Sequence, residues 1–125
     1  MHKGFLKIST VLGALTVLLG AFAAHALKKI VPSEKLVIFQ TGVTYQFFHA
    51  LALLLSSILF KEFPNNRVIW AGRSFIIGII LFCGSLYTIV LMPSLSILGL
   101  ITPLGGIFFI MGWVLLFFSV PKKLQ

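Results

Sequence analysis

Acidic side chains are nearly missing from this chain of 125 residues: Glu34 and Glu62 are the only two, and neither lies within an apolar run. That scarcity leaves the apolar part of the protein without a carboxylate for general acid–base catalysis or a proton relay. Cysteine is almost as rare. Cys83 stands alone inside an apolar run, so no internal disulfide can form and no metal knuckle can be built from it. With no basic neighbour to activate its thiol, it reads as a small packing side chain. Charge of either sign is absent from Ser74 to Pro121, a tract of 48 residues. A water-soluble domain needs polar surface, and this tract is about twice the ~20 residues that a helix needs to cross a bilayer. Pro93 and a Ser/Leu/Gly segment near its middle divide it into two spans folded back on each other.

What is present agrees with these absences. Hydrophobic residues make up 59% of the chain, and ten Lys/Arg give a net charge of +8. In a soluble protein that charge would suggest nucleic acid, because clustered cations neutralise phosphates. Here the cations stand singly or in pairs at the ends of apolar runs, where they snorkel to lipid headgroups and set orientation. The composition therefore argues for one membrane domain whose surroundings are the lipid bilayer, with no nucleic-acid partner.

Backbone amides in a bilayer must be satisfied within their own segment, so the uncharged runs become helices. The expected spans cover about residues 5–26, 43–60, 68–92 and 97–120. Lys28-Lys29-Ile30-Val31-Pro32 ends the first, and Ser33 is placed to cap a new helix. The polar turn from Lys61 to Arg67 ends the second, and Met92-Pro93-Ser94 the third. Residues 34–42 can form either the first turns of a long second helix or a short interfacial helix bending at Gly42; the interfacial version is favoured.

Lys3, Lys7, Lys61, Arg67, Arg73, Lys122 and Lys123 fall on one side of these spans, against Lys28, Lys29 and Lys35 on the other. Cationic loops remain cytoplasmic, so both termini are expected in the cytoplasm. Trp70 suits the aromatic belt at that boundary. The first segment also has a rival reading as a signal peptide, with Ala24-His25-Ala26 as the cleavage site. Its apolar stretch exceeds the usual ~7–15 residues, which favours a retained span.

Lipid is as apolar as leucine, so helices in it associate through small residues and interhelical hydrogen bonds. Steps of three or four place Ser9, Gly13, Thr16, Gly20 and Ala24 on one face of the first span, and Tyr45, His49, Ala52 and Ser56 on one face of the second. The third offers Ser74, Gly78, Ser85 and Thr88, and the fourth Gly99, Thr102, Gly106 and Trp113. The expected fold is an all-α integral-membrane protein, an antiparallel four-helix bundle.

Four stretches carry a resemblance: Leu19-Gly-Ala-Phe-Ala-Ala-His-Ala-Leu-Lys28, Gln40-Thr-Gly-Val-Thr-Tyr-Gln-Phe-Phe-His-Ala-Leu-Ala-Leu-Leu54, Gly84-Ser-Leu-Tyr87, and Leu98-Gly-Leu-Ile-Thr-Pro-Leu-Gly-Gly106 with Gly112-Trp113. They resemble the bacterial small membrane proteins of the domain-of-unknown-function 423 family, relatives of the eukaryotic transmembrane protein 256. That pattern usually has a glycine near Ala23, here another small residue. The resemblance implies a four-span inner-membrane protein and brings no substrate, cofactor or catalytic residue.

His25, Thr44, Gln46, His49, Ser85 and Thr102 are the candidate polar cluster, placed by the expected spans in the outer half of the bundle. Polar side chains at that depth either bond to neighbouring helices or line a pathway or proton site. Histidine titrates near neutral pH and suits the second role. The missing carboxylate favours the first. Two histidines fall short of the three or four ligands of a zinc site, and the serines lack an activating histidine and carboxylate, so no metal, cofactor or catalytic residue is expected. His2 reads as a solvated terminal residue and Arg73 as a snorkelling anchor. Tyr45 and Tyr87 have an interfacial reading, and the phenylalanines a lipid-facing or packing one. Gly105-Gly106 after Pro103 resembles a broken transport helix but more simply allows close packing. Three functions compete. The favoured one is non-catalytic packing with a second copy or another membrane protein; a small transporter or channel component comes next, and an enzyme last.

Overall fold

Four helices long and apolar enough to cross a membrane make up nearly all of the computed structural model, which describes residues 1–123. Helix α1 (Lys3–Ala24) ends in a 3-10 turn at Leu27–Lys29, and α2 runs from Ser33 to Glu62. The third span begins as α3 (Asn66–Gly78), widens into a π-helical turn at Ile79–Cys83 and finishes as α4 (Gly84–Leu91). Pro93–Leu100 forms 3-10 turns kinked at Leu95, and α5 (Thr102–Ser119) returns. Both described ends and the 63–65 turn lie at one end of the bundle, called here the terminal end. Residues 25–32 and 92–101 form the distal end.

The segment 34–42 corrects the expectation of a separate interfacial helix. Helix α2 is unbroken for 30 residues and continues through Gly42. The cause lies in packing. Phe39 is fully buried with Ala23, Leu27 and Val90, and Gly42 lets the Tyr87 ring approach to 2.7 Å from where a Cβ would stand. Two buried positions on one face tie these turns to the bundle. Ser33 does not cap α2 either. Pro32 holds the cap position with φ −61° and ψ 157°, and its carbonyl accepts from Lys35 and Leu36.

The fourth span also starts later than expected, at Thr102 instead of about residue 97. Pro103 explains the start, since its ring suits the first helical turn, where the missing N–H leaves no intrahelical bond unmade. Residues 97–100 belong to the connection. The π turn in the third span has no counterpart in the apolar pattern. It shifts the helix face by about one residue; Ser74 and Gly78 before it and Ser85 after it are all buried.

Helix α1 packs along α2, and α5 along α3, with α2 and the third span in contact at the centre. Toward the terminal end, Ala52, Ala71, Phe75, Ile79, Cys83, Phe109 and Leu116 form one apolar cluster. Phenyl rings sit on glycines here: Phe75 on Gly112, Phe109 on Gly78 and Phe5 on Gly72. At the end of α5, Asn65 Nδ2 donates to the Ser119 carbonyl (3.2 Å) and Arg67 Nη1 to that of Phe118 (2.9 Å), occupying acceptors that the helix leaves open.

His2 is not simply solvated. Its Nδ1 accepts from the Phe5 amide at 3.0 Å, capping α1, and its ring stacks on Phe5 at 3.8 Å. Its own amide donates to the Ser57 carbonyl. Arg73 lies over the Trp70 ring, 4.8 Å from the centroid.

Candidate functional site

The continuity of α2 decides where the polar residues sit. Gln46 and His49 fall near the middle of its 30 residues, not one turn below its distal end. Both are buried, and each anchors a separate hydrogen-bonded node.

In the first node the amide of Gln46 is spent at both ends. Its Oε1 accepts from the Tyr87 hydroxyl at 2.7 Å, and its Nε2 donates to the Leu12 carbonyl at 3.2 Å. One side chain thereby links α2 to α4 and to α1. Thr16 Oγ1 donates to the same Leu12 carbonyl at 2.7 Å. Tyr87 is thus an interior residue, and its interfacial reading is set aside.

The second node is His49. Its Nδ1 lies 2.7 Å from the Tyr45 carbonyl, and its Nε2 lies 3.1 Å from Trp113 Nε1. A carbonyl can only accept and an indole N–H can only donate. The partners therefore select the neutral tautomer with the proton on Nδ1 and the lone pair of Nε2 toward Trp113. Phe109 stacks on the imidazole at 3.6 Å between centroids and 12° between planes.

Ser85 and Thr102 form the third node. Their hydroxyls bond to one another, joining α4 to the start of α5, and Ser85 Oγ also reaches the Phe82 carbonyl at 2.9 Å. The structure brings the remaining two candidates to none of these nodes. His25 is exposed as the C-terminal cap of α1. Thr44 is exposed as well; it is two residues from Gln46, about 200° around the helix.

Tyr87 and Trp113 are the partners that the candidate set omitted. Each carries a polar group on a large apolar body, and that group finds its partner on α2, although the Trp113 ring is itself 46% exposed. The hydroxyl residues behave differently from the expected interhelical links. Ser9, Thr16, Ser56, Thr88 and Ser119 each donate to a carbonyl three or four residues earlier in their own helix. Only Ser85–Thr102 joins helices through two hydroxyls among the described residues.

The expected small-residue faces hold only in part: Gly13 and Gly99 have no neighbour within 4 Å of an added Cβ, and Tyr45 is exposed. On α1, Ser9 and Thr16 are buried, but Ala23 is the buried alanine and Ala24 is exposed. On α5 the close approaches are at Gly112, under Phe75, and at Gly105, where a Cβ would stand 2.6 Å from Phe82 Cβ, while Gly106 has no such neighbour within 4 Å.

A groove of about 430 Å³ between α2 and α5 is lined by Phe48, His49, Leu51, Leu55 and Trp113 among others. A second of about 240 Å³ lies beside Gly84, Ser85 and Thr88. Gln46 and Tyr87 line neither. Among the described residues, every buried side-chain nitrogen and oxygen has a hydrogen-bond partner, and no three His, Cys, Asp or Glu side chains stand together. The arrangement holds helices in register. Its imidazole and amide already have both of their polar atoms engaged.

The family model described as "Protein of unknown function (DUF423)" matches residues 19–106, which contain Gln46, His49, Tyr87, Ser85 and Thr102. The UPF0382 membrane protein YwdK of Bacillus subtilis is 40% identical over 95% of this chain and all of its own length. A UPF0382 membrane protein of Staphylococcus aureus is 40% identical over 94% of this chain and 98% of its own. One from Haemophilus influenzae is 37% identical, covering 98% of both. No solved structure matches the chain. Alignment end to end with relatives named as membrane proteins, together with four spanning helices, makes this chain a multi-pass membrane protein that belongs to the DUF423 family.

Proposed function

We propose that the protein is a non-catalytic component of the cell (inner) membrane, with both termini in the cytoplasm, that acts by packing against a second copy or another membrane protein. The observation that carries the reading is the closure of its polar interior. Gln46 and His49, the side chains best suited to bind or move something, are each held at both polar ends by protein partners. Function then falls to the outer surface. Helix α1 is the least covered span, with 17% of its spanning window buried against 39% for α2 and for the third span. Its uncovered side carries small residues, Thr10, Ala14, Ala21 and Ala24, the kind that let helix backbones meet in lipid. Orientation rests on the loop charges: seven Lys/Arg lie toward the terminal end and three toward the distal end.

Crosslinking in native membranes and native mass spectrometry in mild detergent test the packing. A second copy or a fixed partner is expected, weakened by Ala14→Leu and Ala21→Leu; a strictly monomeric, partner-free protein sinks it. Reporter fusions at each terminus test the orientation, with cytoplasmic activity expected at both.

A further inference from the structure

The terminal end holds a cavity of about 750 Å³ where the start of α3 meets the end of α5. Its wall divides by chemistry. Arg67, Lys122 and Asn65 supply cationic and amide donors, while Phe117, Phe118 and Pro121 supply an apolar side. Both rings are largely exposed, Phe117 at 74% and Phe118 at 58%. The ends of two membrane-crossing helices lie at headgroup level, so one wall meets acyl chains and the other meets phosphate.

We infer that this cavity is a binding site for an anionic phospholipid, with the phosphate between Arg67 and Lys122 and the glycerol and upper acyl carbons against Phe117 and Phe118. Three features support it. A guanidinium has five N–H donors, and among the described residues Arg67 commits only Nη1, to the Phe118 carbonyl. That bond fixes the side chain, so a phosphate meets an oriented fork and not a flexible cation. The negative end of α5, which would repel an anion, is covered by the donors of Asn65 and Arg67. Basic pockets between spanning helices are also a recurrent way of holding anionic headgroups. The site needs neither a second copy nor a protein partner, and it holds for either orientation of the chain.

The test is native mass spectrometry of the full chain released from bilayers containing equal phosphatidylglycerol and phosphatidylcholine with matched acyl chains. The wild type should retain phosphatidylglycerol preferentially. Lys122→Gln should lower that preference about fivefold and Arg67→Gln/Lys122→Gln further, the size expected for single cations near an anionic lipid. Lys28→Gln/Lys29→Gln removes two charges from the distal end and should leave the preference unchanged. Equal retention of the two lipids by the wild type overturns the proposal, as does an equal loss in the distal variant. Because Arg67→Gln also uncaps α5, Lys122→Gln serves as the variant that keeps the Arg67–Phe118 bond; wild-type preference in that variant overturns the site.

Discussion

Trp113 donates its indole N–H to Nε2 of His49 across the α2–α5 interface, and the opposite ring nitrogen faces the carbonyl of Tyr45 one turn earlier. The two partners together leave room for one form of the ring, neutral and protonated on Nδ1. Nitrogen-15 NMR of histidine-labelled protein in bilayers should therefore show that tautomer for His49 near neutral pH. In Trp113→Phe the lone pair on Nε2 loses its donor. Bonds between helices in lipid contribute roughly 0.6 to 2 kcal/mol, so unfolding in a detergent titration should fall by about that amount. His49 should then lose its single-tautomer signature.

Gln46 sets up a sharper comparison, because one amide serves two helices. Tyr87→Phe leaves Oε1 unpartnered and should cost on the order of 1 kcal/mol, while Gln46→Ala unpairs the Tyr87 hydroxyl, frees the Leu12 carbonyl from its second side-chain donor and opens a void. The alanine variant is expected to be the less stable of the two. Gln46→Leu/Tyr87→Phe removes both members of the pair and should recover much of the loss. A double variant whose loss equals the sum of the two single losses would show that the pair is not coupled.

Much of this arrangement is legible in the residues themselves, and the limits have physical causes. Charge-free runs locate four spans, and three-and-four spacing finds the faces bearing His49, Ala52 and Ser56 or Ser74, Gly78 and Ser85. The start of α2 is misjudged because Gly42 resembles a hinge until Tyr87, 45 residues away in sequence, packs against it. That one misjudgement displaces Gln46 and His49 toward the distal end and groups them with His25. The candidate set is drawn from His, Gln, Ser and Thr. It therefore passes over Tyr87 and Trp113, whose rings read as interfacial or packing groups while their single donors complete the nodes. The π turn leaves no mark in an unbroken apolar run.

His25 and Thr44 make the opposite kind of prediction. Both are exposed, and neither is joined to the three nodes. His25→Ala and Thr44→Val should each change stability by less than about 0.5 kcal/mol, as substitutions away from buried networks do. A loss comparable to that of Gln46→Ala would mean that the cluster extends to the distal end after all. Thermal unfolding in the same detergent makes the comparison direct.

Gly105 and Gly106 are adjacent in α5 and should respond oppositely to the same substitution. A Cβ at Gly105 would run into the backbone nitrogen and Cα of Phe82, which belong to the π turn and cannot rotate away as a flexible side chain would. Separating the third and fourth spans to admit that methyl group should cost about 1–3 kcal/mol. The strain would fall where Phe109 lies over Gly78 and beside His49, so His49 NMR signals should shift in Gly105→Ala. Gly106 has no neighbouring atom within 4 Å of an added Cβ, and neither glycine has a positive φ. Gly106→Ala should therefore leave stability unchanged or raise it by about 0.4–1 kcal/mol, because alanine restricts the unfolded chain. Unfolding of the two variants in parallel checks the prediction. Equal effects would mean that α5 does not present Gly105 to the third span.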